Sequence, residues 1–297
     1  MKKQKTCIII CGPTASGKTD IAIDVAQHFN TEIISADSRQ CFKELDIAVA
    51  KPSLLQLQTV PHHFINTHHI TEPFSAADYE KYALKIVTEL FDKHNTVVMC
   101  GGTGLYIKAF CEGLDDFEPI NENIRIEIRD EYKKQGLLWL QNCIQNEDKL
   151  YWQKGEIQNP QRLMRALEVI RGTGKSIVLQ QQKLKKERDF NIVKIGIDID
   201  RPNLYERINN RVEVMLKQGL VEEARDLFPQ KNLNALQTVG YRELFDYFEN
   251  NISLERAIER IKQNTRHYAK RQLTWFKKDE AVMWLKPESI LEFVKNI

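Results

Sequence analysis

Long hydrophobic runs are missing from this chain of 297 residues. The first apolar run, residues 7–11, ends at Gly12 and Pro13. A membrane span needs about 20 apolar residues, and the apolar core of a signal peptide needs more than this run offers. We therefore expect no membrane anchor and no secretory leader, and a cytoplasmic location.

Glycine and proline are also scarce, with 13 and 9 residues. Together with 42% hydrophobic and 28% charged residues, this composition excludes collagen-like and disordered chains and is typical of a globular protein. The six cysteines include no Cys-x-x-Cys pair, which argues against a zinc site or a disulfide framework. We expect reduced, mostly buried thiols.

The net charge is only +2, but its distribution is uneven. Residues 133–188 carry a clear excess of Lys and Arg over Asp and Glu, and residues 255–278 carry eight against two. Such asymmetry favours a surface for a polyanion, although two solvated helix faces would give the same pattern.

Strand and helix patterns alternate along the first third of the chain. Buried strands are predicted at 6–11, 32–35 and 96–100, with helices at 18–29 and after Ser75. Strand character returns at 193–199 and 282–285, and the helices expected near the carboxyl end cover 203–218, 220–228, 238–249 and 254–276. This alternation predicts an α/β fold with a parallel sheet.

The strand signal disappears between residues 115 and 189. Polar helical segments are predicted there at 123–135, 137–145 and 160–171. We therefore predict a core made of residues 1–114 and 190–297, interrupted by an all-helical insertion domain at 115–189.

One loop has the spacing of a phosphate site. Residues 12–19, GPTASGKT, match G-x-x-x-x-G-K followed by S or T, between a predicted strand and a predicted helix. The loop amides and the helix amino terminus would surround a diphosphate or triphosphate, Lys18 would neutralise it, and the Thr19 hydroxyl would lie near it or on a bound Mg²⁺. The predicted diphosphate-binding residues are Gly12, Pro13, Thr14, Ala15, Ser16, Gly17, Lys18 and Thr19. A similar run at 171–176 lacks the first glycine and follows a helix, so we interpret it as a helix end.

Asp37 follows the predicted strand 32–35, whereas strand 96–100 ends in Gly101 and Gly102 without the carboxylate of a typical NTPase. Ligands of α/β sheets bind at the carboxyl ends of the strands. Asp37 is therefore a candidate general base facing the phosphate loop, with a cap or turn role as the alternative. The histidines at 62, 63, 68 and 69 fit no zinc spacing, and we expect structural roles for them.

These motifs, taken together, resemble the bacterial tRNA dimethylallyltransferases. Besides the phosphate loop, the matching segments are ISADSRQ at 34–40, AKP at 50–52, PHH at 61–63, FSAADY at 74–79, GGTGLY at 101–106, NPQRLMRALE at 159–168, VGYRE at 239–243 and AKRQLTWF at 269–276. Their number and their order along nearly the whole chain make the resemblance specific.

The resemblance implies transfer of the dimethylallyl group from dimethylallyl diphosphate to the exocyclic amine of the adenosine on the 3′ side of the anticodon. It implies a core like that of the P-loop NTPases, the helical insertion gripping the tRNA anticodon stem-loop, and Mg²⁺ as cofactor near Thr19. The implied catalytic residues are Asp37, Thr19, Lys18 and Arg211. Arg207 lies one helical turn from Arg211, so the sequence leaves open which of the two reaches the phosphates.

The resemblance also implies a long contact surface for tRNA, which must present its adenosine flipped out of the stack. We expect Asn159 to cap a helix that presents Arg162 and Arg165 together. The implied tRNA-binding residues are Asp37, Ser38, Arg39, Gln40, Thr103, Arg125, Gln161, Arg162, Leu163, Met164, Arg165, Thr238, Val239, Gly240, Tyr241, Arg242, Lys270, Arg271, Gln272 and Trp275. A monomer is the default expectation.

Two other functions fit parts of the pattern. A prenyltransferase acting on free adenine nucleotides would share the phosphate loop, but it would not need so long a basic surface. A small-molecule kinase would place ATP on the loop and use Asp37 to deprotonate a hydroxyl.

Overall fold

A computed structural model describes residues 5–115, 118–180 and 185–297 of the chain. Its strands are β1 (Thr6–Cys11), β2 (Ile33–Ser35), β3 (His62–His63), β4 (Thr96–Gly101), β5 (Asn191–Ile197) and β6 (Val282–Leu285). Its helices are α1 (Lys18–His28), α2 (Leu54–Thr59), α3 (Ala76–Lys93), α4 (Gly104–Glu112), α5 (Glu122–Glu147), α6 (Lys149–Lys154), α7 (Pro160–Thr173), α8 (Ile177–Gln180), α9 (Arg201–Lys217), α10 (Leu220–Leu227), α11 (Tyr241–Phe248), α12 (Leu254–Phe276) and α13 (Pro287–Val294).

The strands form one parallel sheet in the order β3-β2-β4-β1-β5-β6. β1 lies between two neighbours, since Ile8 pairs with Val98 of β4 and with Val193 of β5. Alternate residues of β1 enter different apolar clusters: Ile9 packs with α3, and Ile10 packs with α1 and α13. Both faces of the sheet are therefore covered, which is why β1 is apolar at nearly every position. The α/β prediction is confirmed.

Most elements lie where the sequence predicts them, and β1, β6 and α12 match to the residue. The predicted helix 238–249 is wrong at its start, because Gly240 has a φ of 102° and α11 begins only at Tyr241. The two segments predicted at 123–135 and 137–145 form the single run α5, interrupted at Gly136 with a φ of 73°. The two-residue strand β3 is too short to give a periodic signal.

The chain divides into two compact units. One comprises Met1–Cys111 and Glu187–Ile297, and the other comprises Glu112–Lys186, close to the limits 115–189 predicted for the insertion. The second unit contains α5 to α8 and has its own apolar core, which includes Ile128, Leu140 and Leu167. Among the residues that the structure describes, no helix has the length and apolar character needed to cross a membrane.

A buried ion pair ties the returning chain to the first unit. Arg188 donates to Glu80 Oε1 on α3 at 2.9 Å, and both side chains are only 11% exposed. Its Nε and a terminal nitrogen also donate to the carbonyl oxygens of Phe110 and Ala109 at 2.8 and 3.0 Å. Removing one partner of such a pair leaves the other charge buried.

We therefore expect Arg188→Ala to lower the free energy of unfolding by about 3–5 kcal/mol. Urea denaturation followed by circular dichroism measures this loss. The matched control is Lys85→Ala, also at α3, which removes an exposed pair with Glu89 at 3.9 Å and should change stability by no more than about 0.5 kcal/mol. Equal effects of the two substitutions would contradict the burial argument.

Candidate active site

The phosphate loop curls between β1 and α1. Gly17 precedes α1 with a φ of 88°, a conformation that glycine adopts at little cost. The Lys18 ammonium folds back and donates to the Pro13 carbonyl oxygen at 3.2 Å. The Ser16 hydroxyl is buried and has no hydrogen-bond partner among the described residues. Because buried polar groups are normally paired, this hydroxyl suits an anion bound inside the loop.

Two arginines of α9 approach the same loop. An Arg211 terminal nitrogen lies 3.4 Å from Thr14 Oγ1, and an Arg207 terminal nitrogen lies 3.4 Å from the Ser16 carbonyl oxygen. Arg211 is half-buried and lines the cavity described below, whereas Arg207 is exposed. Burial lowers the pKa of both Lys18 and Arg211, and Arg211 lowers the pKa of Lys18 further. A bound anion would offset this crowding of positive charge.

Arg211, rather than Arg207, is therefore expected to bind the phosphates. Arg211→Ala should weaken the binding of inorganic diphosphate about tenfold, since a charge-assisted hydrogen bond is lost. Arg207→Ala should weaken it less than about twofold, because that guanidinium is exposed and screened. Isothermal titration calorimetry of the two variants tests the assignment, and a reversed order would transfer the phosphate role to Arg207.

Asp37 follows β2 and uses its two carboxylate oxygens differently. Oδ1 accepts the backbone N–H groups of Arg39 at 2.9 Å and Gln40 at 3.3 Å. Oδ2 accepts no hydrogen bond from the residues that the structure describes. The turn role and the base role considered from the sequence are therefore compatible: one oxygen orients the side chain, and the other is available to accept a proton.

The segment after Asp37 is held from two sides. The Ser38 N–H donates to Thr103 Oγ1 at 3.0 Å, and the Gln40 side-chain amide donates to the carbonyl oxygens of Val49 and Ala50 at 3.2 and 2.9 Å. Ser38, Gln40 and Thr103 are all partly exposed. Their contacts fix the backbone that carries the carboxylate.

The phosphate loop and Asp37 line one cavity of about 890 Å³ in the first unit. Its polar part includes Thr14, Lys18, Thr19, Arg39 and Arg211. Its apolar part comes from the segment after β2 and from α9 and α12, and includes Ile47, Ala48, Val49, Pro52, Val212, Met215 and Ile261. The cavity can therefore take a ligand with one strongly anionic end and one apolar end.

Tyr268 also lines this cavity. Burial raises the pKa of Tyr268, and the Asp37 carboxylate raises it further. The phenol therefore stays neutral beside Asp37. Nothing in the spacing of the helical sequence around Tyr268 distinguishes it from a core residue.

A glutamate that the sequence does not single out builds part of the cavity wall. Glu223 of α10 accepts the backbone N–H groups of Asp46, Ile47 and Ala48 at 3.1, 2.7 and 3.0 Å. Its Oε1 also accepts the hydroxyl of buried Tyr241 at 2.7 Å. These bonds hold the apolar segment against the cavity, and only the fold could reveal them because the partners are about 176 residues apart.

Comparison with known proteins identifies the family. The family model described as IPP transferase matches residues 40–279. This chain belongs to the IPP transferase family. It is 50% identical over 293 residues to a tRNA dimethylallyltransferase of Christiangramia forsetii, covering 97% of each chain. It is 48% identical to one of Flavobacterium johnsoniae, covering 94% of this chain and 93% of that protein.

A solved structure supports the same membership. The tRNA isopentenylpyrophosphate transferase of Bacillus halodurans superimposes with a TM-score of 0.72 at 33% identity, covering 99% of this chain and 96% of that one. The core of the present chain is thus of the P-loop NTPase type, as the sequence predicts.

Helix α12 of the present chain forms part of a second, open groove of about 410 Å³. It is lined by His267, Lys270, Arg271, Thr274, Trp275 and Lys278. Trp275 is 40% exposed, which suits stacking against a base. The predicted residues Lys270, Arg271 and Trp275 therefore lie together on the surface. Arg242 of α11 is also exposed.

Two of the predicted RNA contacts in this unit are buried instead. The side chain of Tyr241 is fully buried, and that of Gln272 is 6% exposed. α11 and α12 turn these two side chains inward, and the assignment of Tyr241 and Gln272 to the tRNA surface stays a prediction. Thr238, Val239 and Gly240 line the large cavity.

In the second unit, Asn159 caps α7 as predicted, accepting the N–H groups of Gln161 and Arg162. Gln161 and Arg162 are exposed, and Arg162 pairs with Glu156 at 2.6 Å. Arg125 and Arg165 both approach Glu168, at 3.8 and 3.2 Å.

Leu163 and Met164 face the core of this unit and are 0% and 9% exposed. Their side chains are not at the surface, and the assignment of these two residues to the tRNA surface stays a prediction. They occupy the buried face of the same amphipathic helix whose other face carries the arginines.

The histidines make local contacts. His63 Nε2 lies 2.7 Å from Glu32 Oε2, and His62 Nδ1 lies 2.7 Å from the Val60 carbonyl oxygen. Within the described parts of the chain, no three His, Cys, Asp or Glu side chains are grouped so that they could hold a metal.

Proposed function

We propose that this protein transfers a dimethylallyl group from dimethylallyl diphosphate to the exocyclic amine of an adenosine in tRNA, on the 3′ side of the anticodon. One observation carries the proposal: a single cavity joins a cationic phosphate loop, an apolar wall and the Asp37 carboxylate. An allylic diphosphate has the matching polarity. The names of the curated relatives support the same reaction.

The chemistry requires a base and an anion site. The adenine amine is a weak nucleophile because its lone pair is delocalised into the ring. As the nitrogen bonds to the allylic carbon, the bond from that carbon to the diphosphate oxygen breaks, and the diphosphate leaves with the electron pair. Asp37 Oδ2 accepts the proton that the amine loses. Lys18, Arg211 and the loop amides stabilise the negative charge that develops on the diphosphate.

A divalent cation, Mg²⁺ in our proposal, fits the residues present. The Thr19 hydroxyl lines the cavity at the start of α1 and makes no hydrogen bond with other described residues. Mg²⁺ is usually held by few protein groups together with waters and phosphate oxygens, so a carboxylate cluster is not required. When bound beside Thr19, the ion would neutralise charge on the leaving diphosphate.

The tRNA anticodon stem-loop is proposed to contact exposed or partly exposed cationic and aromatic groups. In the first unit these are the α12 groove, Arg39 and Arg242; in the second they are Arg125, Arg162 and Arg165. A flipped adenosine needs such contacts to its flanking phosphates and bases. All assigned groups lie on one chain, which is compatible with a monomer.

The deciding experiment offers labelled dimethylallyl diphosphate and Mg²⁺ to the protein with two acceptors. One tube contains an anticodon stem-loop with three consecutive adenosines, and the other contains AMP. We expect label in the RNA and none in AMP. Label in AMP alone would identify a free-nucleotide prenyltransferase, and label in neither, with ATP bound to the loop, would favour a kinase.

A further inference from the structure

Gln272 lies near the carboxyl end of α12 but points away from the exposed groove of that helix. It is 6% exposed. Its Oε1 accepts the backbone N–H of Thr14 at 2.8 Å, and its Nε2 donates to the carbonyl oxygen of Gly102 at 2.9 Å. The amide orientation is determined by these partners, because an N–H group needs an acceptor and a carbonyl oxygen needs a donor.

The first bond acts on Lys18 through one peptide. The Thr14 N–H and the Pro13 carbonyl belong to the same planar trans peptide, so they point in opposite directions. The Pro13 carbonyl oxygen accepts both the Lys18 ammonium at 3.2 Å and the Ser16 N–H at 3.3 Å. Holding the N–H end of this peptide therefore sets the direction of the carbonyl that anchors Lys18.

The second bond acts in the same way on the Asp37 side. The Gly102 carbonyl shares a peptide plane with the Thr103 N–H, which donates to the Ala36 carbonyl oxygen at 3.1 Å. Ala36 directly precedes Asp37. The side chain of Thr103 accepts the Ser38 N–H, so the turn at residues 101–104 supports the base from both flanks.

Helix α12 approaches the turn at residues 101–104 closely because that turn contains glycines. A Cβ atom at Gly102 would lie 2.3 Å from Gln272 Nε2, so any side chain there would displace the amide. Gly104 makes similar room, since its Cβ would lie 2.2 Å from Trp275 on the same helix. The turn and α12 thus fit together only because these positions are glycines.

We propose that Gln272 is a positioning residue that aligns the phosphate loop carrying Lys18 with the turn supporting Asp37, through two peptide planes, and that it does not contact tRNA. This inference rests on the proposed function for its consequence on transfer. Its consequence for diphosphate binding does not depend on that function. A misplacement of reacting groups by about 1 Å can cost about a hundredfold in rate.

The test compares Gln272→Met with Lys270→Ala. Methionine keeps the unbranched shape but leaves the Thr14 N–H and the Gly102 carbonyl without partners. We expect Gln272→Met to weaken inorganic diphosphate binding about tenfold and to lower the single-turnover rate about thirtyfold to a hundredfold, with the affinity for the stem-loop unchanged. Lys270→Ala should weaken stem-loop binding and leave diphosphate affinity unchanged.

A second variant guards against simple misfolding. Gly102→Ala keeps Gln272 but displaces its amide, and it should reproduce the loss of diphosphate affinity while circular dichroism stays native. Loss of stem-loop affinity with normal diphosphate binding in Gln272→Met would overturn the proposal and make Gln272 an RNA contact. If the wild type bound diphosphate but prenylated no RNA, the proposed function would fail while the diphosphate comparison still decided the role of Gln272.

Discussion

Asp37→Asn is expected to reduce the single-turnover rate of prenyl transfer about a thousandfold. The substitution is nearly isosteric, and the Asn oxygen can still accept the N–H groups of Arg39 and Gln40 that now bond to Oδ1. The amide nitrogen that replaces Oδ2 cannot accept a proton. The loss should therefore affect the chemical step and spare the local fold.

Binding measurements separate this effect from disruption. Asp37→Asn should bind inorganic diphosphate within about twofold of the wild type, since the diphosphate does not use the proton acceptor, and its affinity for the stem-loop should fall far less than its rate. Asp46→Asn is the matched control, because Asp46 is another carboxylate that lines the cavity. A comparable rate loss in Asp46→Asn, or a normal rate in Asp37→Asn, would remove Asp37 from the role of base.

Lys18→Met is the second substitution with a large expected effect. It removes the cation at the start of α1 and should lower kcat/KM for dimethylallyl diphosphate about a thousandfold, at the upper end of what one preorganised charged donor contributes. Steady-state kinetics at saturating stem-loop measures the change. Lys43→Met is the control: Lys43 also lines the cavity, but its ammonium lies 3.2 Å from His69.

The same substitution should not destabilise the unliganded protein. Burial lowers the pKa of Lys18, which means that the charged form is disfavoured there when no anion is bound. Replacing it with an apolar side chain relieves that cost, so the melting temperature of Lys18→Met should equal or exceed that of the wild type. A variant that loses both activity and stability would indicate that Lys18 acts mainly through its bond to Pro13.

Local signals were sufficient for much of the fold. β1 is apolar because both of its faces are covered, and the glycine and lysine spacing after it specifies a loop and a helix start. The break at Gly136 could also be predicted locally, because a glycine commonly interrupts a helical pattern. The start of α11 was not predicted: Gly240 has a φ of 102°, and a Cβ atom there would lie 3.2 Å from Ala48, a residue from a distant part of the chain.

The predicted tRNA contacts show that a sequence motif does not specify which of its side chains face solvent. Residues 161–165 and 270–275 are contiguous in sequence, but a helix distributes neighbours around its axis. Leu163, Met164 and Gln272 consequently face inward, while Arg162, Lys270 and Trp275 face solvent. A matching segment identifies the helix, and its orientation against the rest of the unit decides which side chains reach a ligand.

The sequence by itself determined the α/β class, and it predicted the helical insertion, the phosphate site and the role of Asp37, because each is encoded by periodicity or by a spacing within a few residues. Only the tertiary structure distinguished Arg211 from Arg207 at the cavity, joined Glu223 to the segment at 46–48, and placed Gln272 between the phosphate loop and Gly102. Those contacts join residues far apart in the chain. They exist because parallel strands bring their carboxyl ends to one edge of the sheet, where residues of α9, α10 and α12 line the same cavity.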